Sequence, residues 1–218
     1  ASPPPESATP PGVSGAPFHL ALDADPRAIP VESVGKKAHG LMVLQQLGLA
    51  VPPGVVLSIG AQAACQADGS LLAQLVAALP SIPGKRLMVR SSAVGEDGPS
   101  ASFAGQLDSF QVDNDSAAII VGIERCWASA ANARLASYAE ASQAQLGGLA
   151  VIVQQLIDPD YAGVYFTVHP TEEGCELLEY VEGHCEKLVQ GEVLGVADRF
   201  EVRCDAAALR IIGPAQGA

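Results

Sequence analysis

The chain has 218 residues, enough for one sizeable domain or two small lobes; 49% of them are apolar and only 5% aromatic, which excludes general disorder and favours a mixed α and β protein over an all-β one. Twelve basic against 24 acidic residues leave a net charge of −12, so the long-range field repels nucleic acid and anionic membrane. No apolar run approaches the roughly 20 residues of a membrane span, and the first 30 residues carry neither a basic start nor an apolar signal core, which together predict a soluble, cytoplasmic protein.

Residues 1 to 17, ASPPPESATPPGVSGAP, read as a Pro-rich flexible linker, with structure expected from Phe18. From Gly35 the apolar residues Leu41, Leu44 and Leu47 recur at near-helical spacing and Gly48 supplies a stop. Lys37, four residues before Leu41, falls on the inward side of the first turn, and Lys36 is rotated about 100° away. VPPGVVLS predicts a turn into a strand, and Ser70 opens a helix through LLAQLVAAL.

RLMVRSS predicts a strand with Leu87 and Val89 on one face, Met88 and Arg90 on the other. AVGEDGPSASFAG, Ala93 to Gly105, has the small residues that let backbone N–H groups approach phosphate oxygens, and the short strand LDSFQV follows it. Asn114 or Asp115 caps a long helix with Ile119, Ile120, Ile123, Trp127 and Ala130 inward, running to about Ala141. Four strand-like segments come after it: LAVIVQQLI, YAGVYFTV, ELLEYV and RFEVR.

This order predicts an α+β fold in which residues 18–113 form an N-terminal lobe carrying the phosphate-binding loop, and residues 114–213 supply the long helix and a second, strand-rich lobe. The five cysteines are scattered and never spaced as Cys-x-x-Cys, which argues against a disulfide framework or structural zinc. His169, Cys175, His184 and Cys185 fit no common metal-ligand spacing and read as strand and turn residues.

The run MVRSSAVGEDGPSASFAGQLDSF, Met88 to Phe110, resembles the signature of the ATP-binding domain of the phosphoenolpyruvate synthase and pyruvate phosphate dikinase family. VGKKAHGLMVLQQLGLAVPPGVVL, RCWAS, VIVQQLI and AGVYFTVHP are similar to further stretches of that domain, so the resemblance spans residues 34 to about 203. It implies an ATP-grasp-like fold, with two lobes around a nucleotide cleft.

In that family pattern Lys37 corresponds to the lysine that reaches the ATP phosphates, and Arg90 to the strand-end arginine that contacts them. The resemblance places the loop around Gly105, with Ser109 after it, over the triphosphate, and Gln154, Gln155 and Leu156 along the adenine slot. Apart from the resemblance, a helix-start lysine, a strand-end arginine and a strand-edge glutamine suit solvated or structural roles equally well. Glu96 and Asp97 read as turn residues and are not assigned to a metal. Arg134, seven residues after Trp127, lies on the same helix face.

Relatives carry Phe-Thr-x-Asp-Pro where this sequence has Phe166 to Pro170 with His169, and Gly-Leu-Gly-Glu where it has Gly183, His184, Cys185 and Glu186. They also place a metal-binding glutamate and a Gln-x-Arg-Pro strand in a segment for which these 218 residues have no counterpart. The implied function is the ATP-binding portion of a phosphotransferase using ATP and Mg2+, with metal ligands and the C-terminal part of the grasp expected on a missing segment or partner chain. A second subunit or further domains would carry a phosphohistidine that serves pyruvate or another small acceptor. The alternative is a non-catalytic nucleotide-binding or regulatory module derived from the same fold.

Overall fold

The computed structural model describes residues 18–94, 109–139, 149–168, 176–184, 198–205 and 208–214. The linker expected at 1–17 and most of the 93–105 loop lie outside them. The chain divides into two compact units, Ala1–Leu156 and Ile157–Ala218, and the long helix falls within the first.

The reason lies in one strand. β5 (Leu149–Gln155) follows the long helix in sequence, yet it pairs between β2 (Gly54–Leu57) and β3 (Arg86–Ala93). With β1 (His19–Ala21) and β4 (Ser109–Asp113) these strands make an antiparallel sheet of order β1-β2-β5-β3-β4. Six successive residues of β5 are buried, as both faces of a central strand are covered.

The two faces have separate cores. Leu149, Val151 and Val153 join Val55, Leu57, Leu87 and Val89 under α2 (Ile59–Ala67), α3 (Leu71–Ala77) and α4 (Ser116–Ala139). Ala150 and Ile152 join Val56 under Val34, Ala38 and Met42 of α1 (Val31–Gln46). Each fully buried aliphatic side chain contributes roughly 1.5–3 kcal/mol.

Local signals account for the helix ends. Asp115 accepts a hydrogen bond from the Ala118 N–H at 2.9 Å and caps α4, while the Asn114 amide turns back to the Ile82 and Gly84 carbonyls, 2.8 Å each. After α1, Gly48 adopts φ 82°, and the Leu49 N–H reaches back to the Leu44 carbonyl at 3.1 Å. That closing turn leaves Leu44 and Leu47 exposed, at 41% and 72%. The buried stripe of α1 is Val34, Ala38 and Met42, not the expected leucines.

Unit 2 is an antiparallel sheet of order β6 (Tyr161–Phe166), β7 (Glu176–Glu182), β8 (Asp198–Asp205) and β9 (Ala208–Pro214). Tyr161 packs edge-on to Tyr180, with ring centroids 5.9 Å apart, and the Tyr165 hydroxyl donates to the Glu176 carboxylate. The strands β1 and β9 and the helix α2 were not anticipated from the sequence.

Candidate functional site

β3 carries its alternation as predicted: Leu87 and Val89 are fully buried, and Met88 and Arg90 are half-buried on the other face. Register places Arg90 beside Ile152 of β5 and Ser109 of β4. Ile152 packs under α1, so Arg90 shares the sheet face on which α1 lies. Past α1 this face opens: on β4, Ser109, Gln111 and Asp113 are exposed.

Arg90 and Ser109 form the rung at which β3 and β4 part, so Arg90 stands where the chain leaves for the Ala93 to Gly105 stretch. Another arginine, Arg86, lies on the same face of β3 and donates to the Gln111 amide oxygen at 3.1 Å. The open part of the face thus carries two guanidinium groups, and planar cations of this kind suit phosphate oxygens in bidentate fashion.

Lys37 arrives from α1. Its Nζ donates to the carbonyl oxygen of Ser91 at 3.1 Å, one residue along β3 from Arg90. Lys37 is half-buried and Lys36 exposed, as the helical rotation predicts. The α1 start is unusual: Gly35, at φ 76° and ψ 165°, breaks the helix, and the regular turn begins after it. The Ala38 N–H then donates to the Ser92 hydroxyl at 3.0 Å.

The other predicted residues are distributed less simply. Ser109 is exposed opposite Arg90. Gln154 is 4% exposed and its amide donates to the Pro52 carbonyl at 2.8 Å, a bond that pins the Pro52–Pro53 turn and accounts for this side chain without a ligand. The backbone N–H groups of Gln155 and Leu156 are engaged by Pro53 O at 2.8 Å and Arg86 O at 3.2 Å. Gly105, Glu96 and Asp97 lie outside the described residues, as does the side chain of Arg134 on α4.

Among the described residues no group of three or more His, Cys, Asp or Glu side chains is arranged to hold a metal ion. His184 Nε2 stands 3.3 Å from Asp158 in unit 2, while His169, Cys175 and Cys185 lie outside the described residues. No described helix is long and apolar enough to cross a membrane. A hollow of about 390 Å³ opens between Leu22, Val51, Pro53 and Ile82, away from Lys37 and Arg90.

Residues 72–211 match the family model of the pyruvate phosphate dikinase AMP/ATP-binding domain. The chain belongs to this family. Arg90, Ser109 and Gln154 to Leu156 fall inside the matched stretch, and Lys37 lies ahead of it.

The chain is similar to a protein described as "probable phosphoenolpyruvate synthase" in Methanothermobacter thermautotrophicus, 43% identical over 108 residues covering 48% of this chain and 16% of that one. The prodigiosin synthesizing transferase PigC of Serratia marcescens is 31% identical over 188 residues, covering 73% of this chain and 21% of the relative. The rifampicin phosphotransferase of Streptomyces sviceus is 38% identical over 133 residues, with 59% and 15% covered. The chain therefore spans only about a fifth or less of the length of these relatives.

Sequence reasoning named Lys37 and Arg90 but gave no role to Gly35 or Ser92, which join their two elements. The signals were present in the motifs themselves, as the glycine two residues before Lys37 and the second serine after Arg90.

Proposed function

We propose that this chain is the nucleotide-binding portion of an ATP-dependent phosphotransferase of the phosphoenolpyruvate synthase and dikinase kind, with an ATP-grasp-like site. Lys37 and Arg90 take the phosphate chain, Ser109 adds a hydroxyl at its edge, and the Gly105 region covers it. The carbonyl groups of Gln155 and Leu156 remain for the adenine edge. A phosphoryl group then passes to a histidine carried by a further domain or subunit, and from it to a small-molecule acceptor. Three relatives with differently named activities leave the acceptor open between pyruvate and another small molecule.

The observation that carries this reading is the meeting of a lysine from α1 with β3 at the residue next to Arg90, on the open sheet face where β3 and β4 part. Phosphoryl transfer depends chiefly on positioning and charge neutralisation, and in a chain of net charge −12 the cations must be local. Mg2+, when bound, would neutralise further phosphate charge. The described residues present no group of three or more His, Cys, Asp or Glu side chains for it.

A second reading, a non-catalytic nucleotide-binding module, draws on the region around His184, which departs from the family pattern and engages Asp158. Calorimetric titration with ATP and Mg2+, paired with an assay for ATP consumption, separates the two. Micromolar to millimolar binding is expected from either; ATP-dependent phosphorylation of a histidine in the full assembly supports the transferase. Absence of nucleotide binding by the folded protein would sink both.

A further inference from the structure

Lys37 and Arg90 come from separate elements, joined by the Lys37 to Ser91 bond between residues 54 apart in sequence. The contact that fixes one element against the other centres on Gly35 and Ser92. At Gly35 the backbone has a positive φ of 76°, and a methyl group added there would lie 2.5 Å from the Ser92 Oγ. Ser92 is fully buried.

With the helix interrupted at Gly35, the residues Lys36, Lys37 and Ala38 open its regular part. The Ala38 N–H is then one of the donors that a helix start leaves without an intrahelical acceptor. An N-cap side chain three residues earlier ordinarily accepts from it. Glycine has no such side chain, and the acceptor comes instead from β3, as the Ser92 hydroxyl at 3.0 Å.

We infer that Ser92 is a positioning residue for nucleotide binding: it supplies from β3 the cap that Gly35 lacks, and so holds Lys37 in register with Arg90 for the phosphates. The inference rests on the reading that Lys37 and Arg90 bind phosphate oxygens. A lysine ammonium sits on a flexible four-carbon stem, so where it acts depends on where its first helical turn is held. Without the cap that turn loosens, and Lys37 is displaced although no group touching the nucleotide has been removed. Displacements of about 1 Å at such sites have large effects.

The test is a double-mutant cycle on ATP and adenosine affinity, read by ligand-observed NMR, with thermal unfolding of each variant. Ser92→Ala is expected to weaken ATP about fivefold or more, in line with the loss of a cap, and to leave adenosine within about twofold. In a Lys37→Ala background the same change should alter ATP affinity less than about twofold while still lowering the unfolding temperature. Ser92→Thr, which keeps the hydroxyl, should recover ATP affinity. If Ser92→Ala does not fold, Ser92→Cys, a weaker acceptor of similar size, carries the same comparison.

Equal losses in both backgrounds, or parallel losses of ATP and adenosine, would mean a general loosening of the fold and overturn the inference. So would unchanged ATP affinity in folded Ser92→Ala. If Lys37→Ala alone leaves ATP affinity intact, the phosphate role of Lys37 fails and the inference falls with it, a result distinct from a silent Ser92.

Discussion

The ammonium of Lys37 on α1 meets the carbonyl oxygen of Ser91 on β3 at 3.1 Å. This bond ties a helix packed over the sheet to the strand that bears Arg90, and it places a cation beside the open β3–β4 face. The carbonyl takes one of the three N–H donors of the ammonium.

Lys37→Ala should weaken ATP by about 1.5–3 kcal/mol, the usual range for a hydrogen bond involving a charged group. Alanine is a strong helix former, so α1 itself should persist. Calorimetry at fixed Mg2+ measures the effect, and circular dichroism checks the helix.

Arg90→Ala should cost about 2 kcal/mol or more of ATP affinity if the guanidinium grips phosphate in a desolvated site. Arg90→Lys should recover only part of it, because an ammonium cannot reproduce the planar fork. Full recovery by lysine would show that point charge alone matters there.

Gly35→Ala should destabilise the protein by about 1–3 kcal/mol from backbone strain at positive φ, with a further loss from the clash with Ser92. Urea denaturation reads the total. A variant as stable as the parent would contradict the described backbone.

Ile123→Ala should cost about 2–5 kcal/mol through the cavity left in the α4 core, since Ile123 is fully buried against the sheet. Val121→Ala, two residues earlier on the opposite side of the helix and 53% exposed, should change stability by less than about 0.5 kcal/mol. The pair tests which face of α4 is inward.

The hydrogen bonds from Arg27 hold the Asp25 carboxyl at about 2, below its ordinary 3.8. Because the folded value is the lower one, the carboxylate favours the fold above the unfolded pKa, and this contribution disappears as pH falls through about 2. NMR titration should find the Asp25 midpoint near 2, and in Arg27→Ala it should return towards 3.8.

Much of unit 1 was legible because its signals are local. The alternation in Arg86–Ala93 gave the two faces of β3, the acidic cap gave the start of α4, and helical rotation separated Lys37 from Lys36. For Gln154 the family motif suggests ligand contact, and the fold adds a bond from its amide to a turn about a hundred residues earlier, which no local pattern reveals.

By itself the sequence determined the family, the strand and helix periods of most elements, and the residue types able to meet phosphate. The tertiary structure decided that Leu44 and Leu47 face outward, that β5 joins the first unit, and that Ser92 completes the start of α1. Periodicity reports a residue's orientation within its own element, whereas these three outcomes depend on which distant strand or helix lies alongside. That pairing is set by side-chain packing and hydrogen bonding between elements, and both sides of each contact are seen only when the chain is folded.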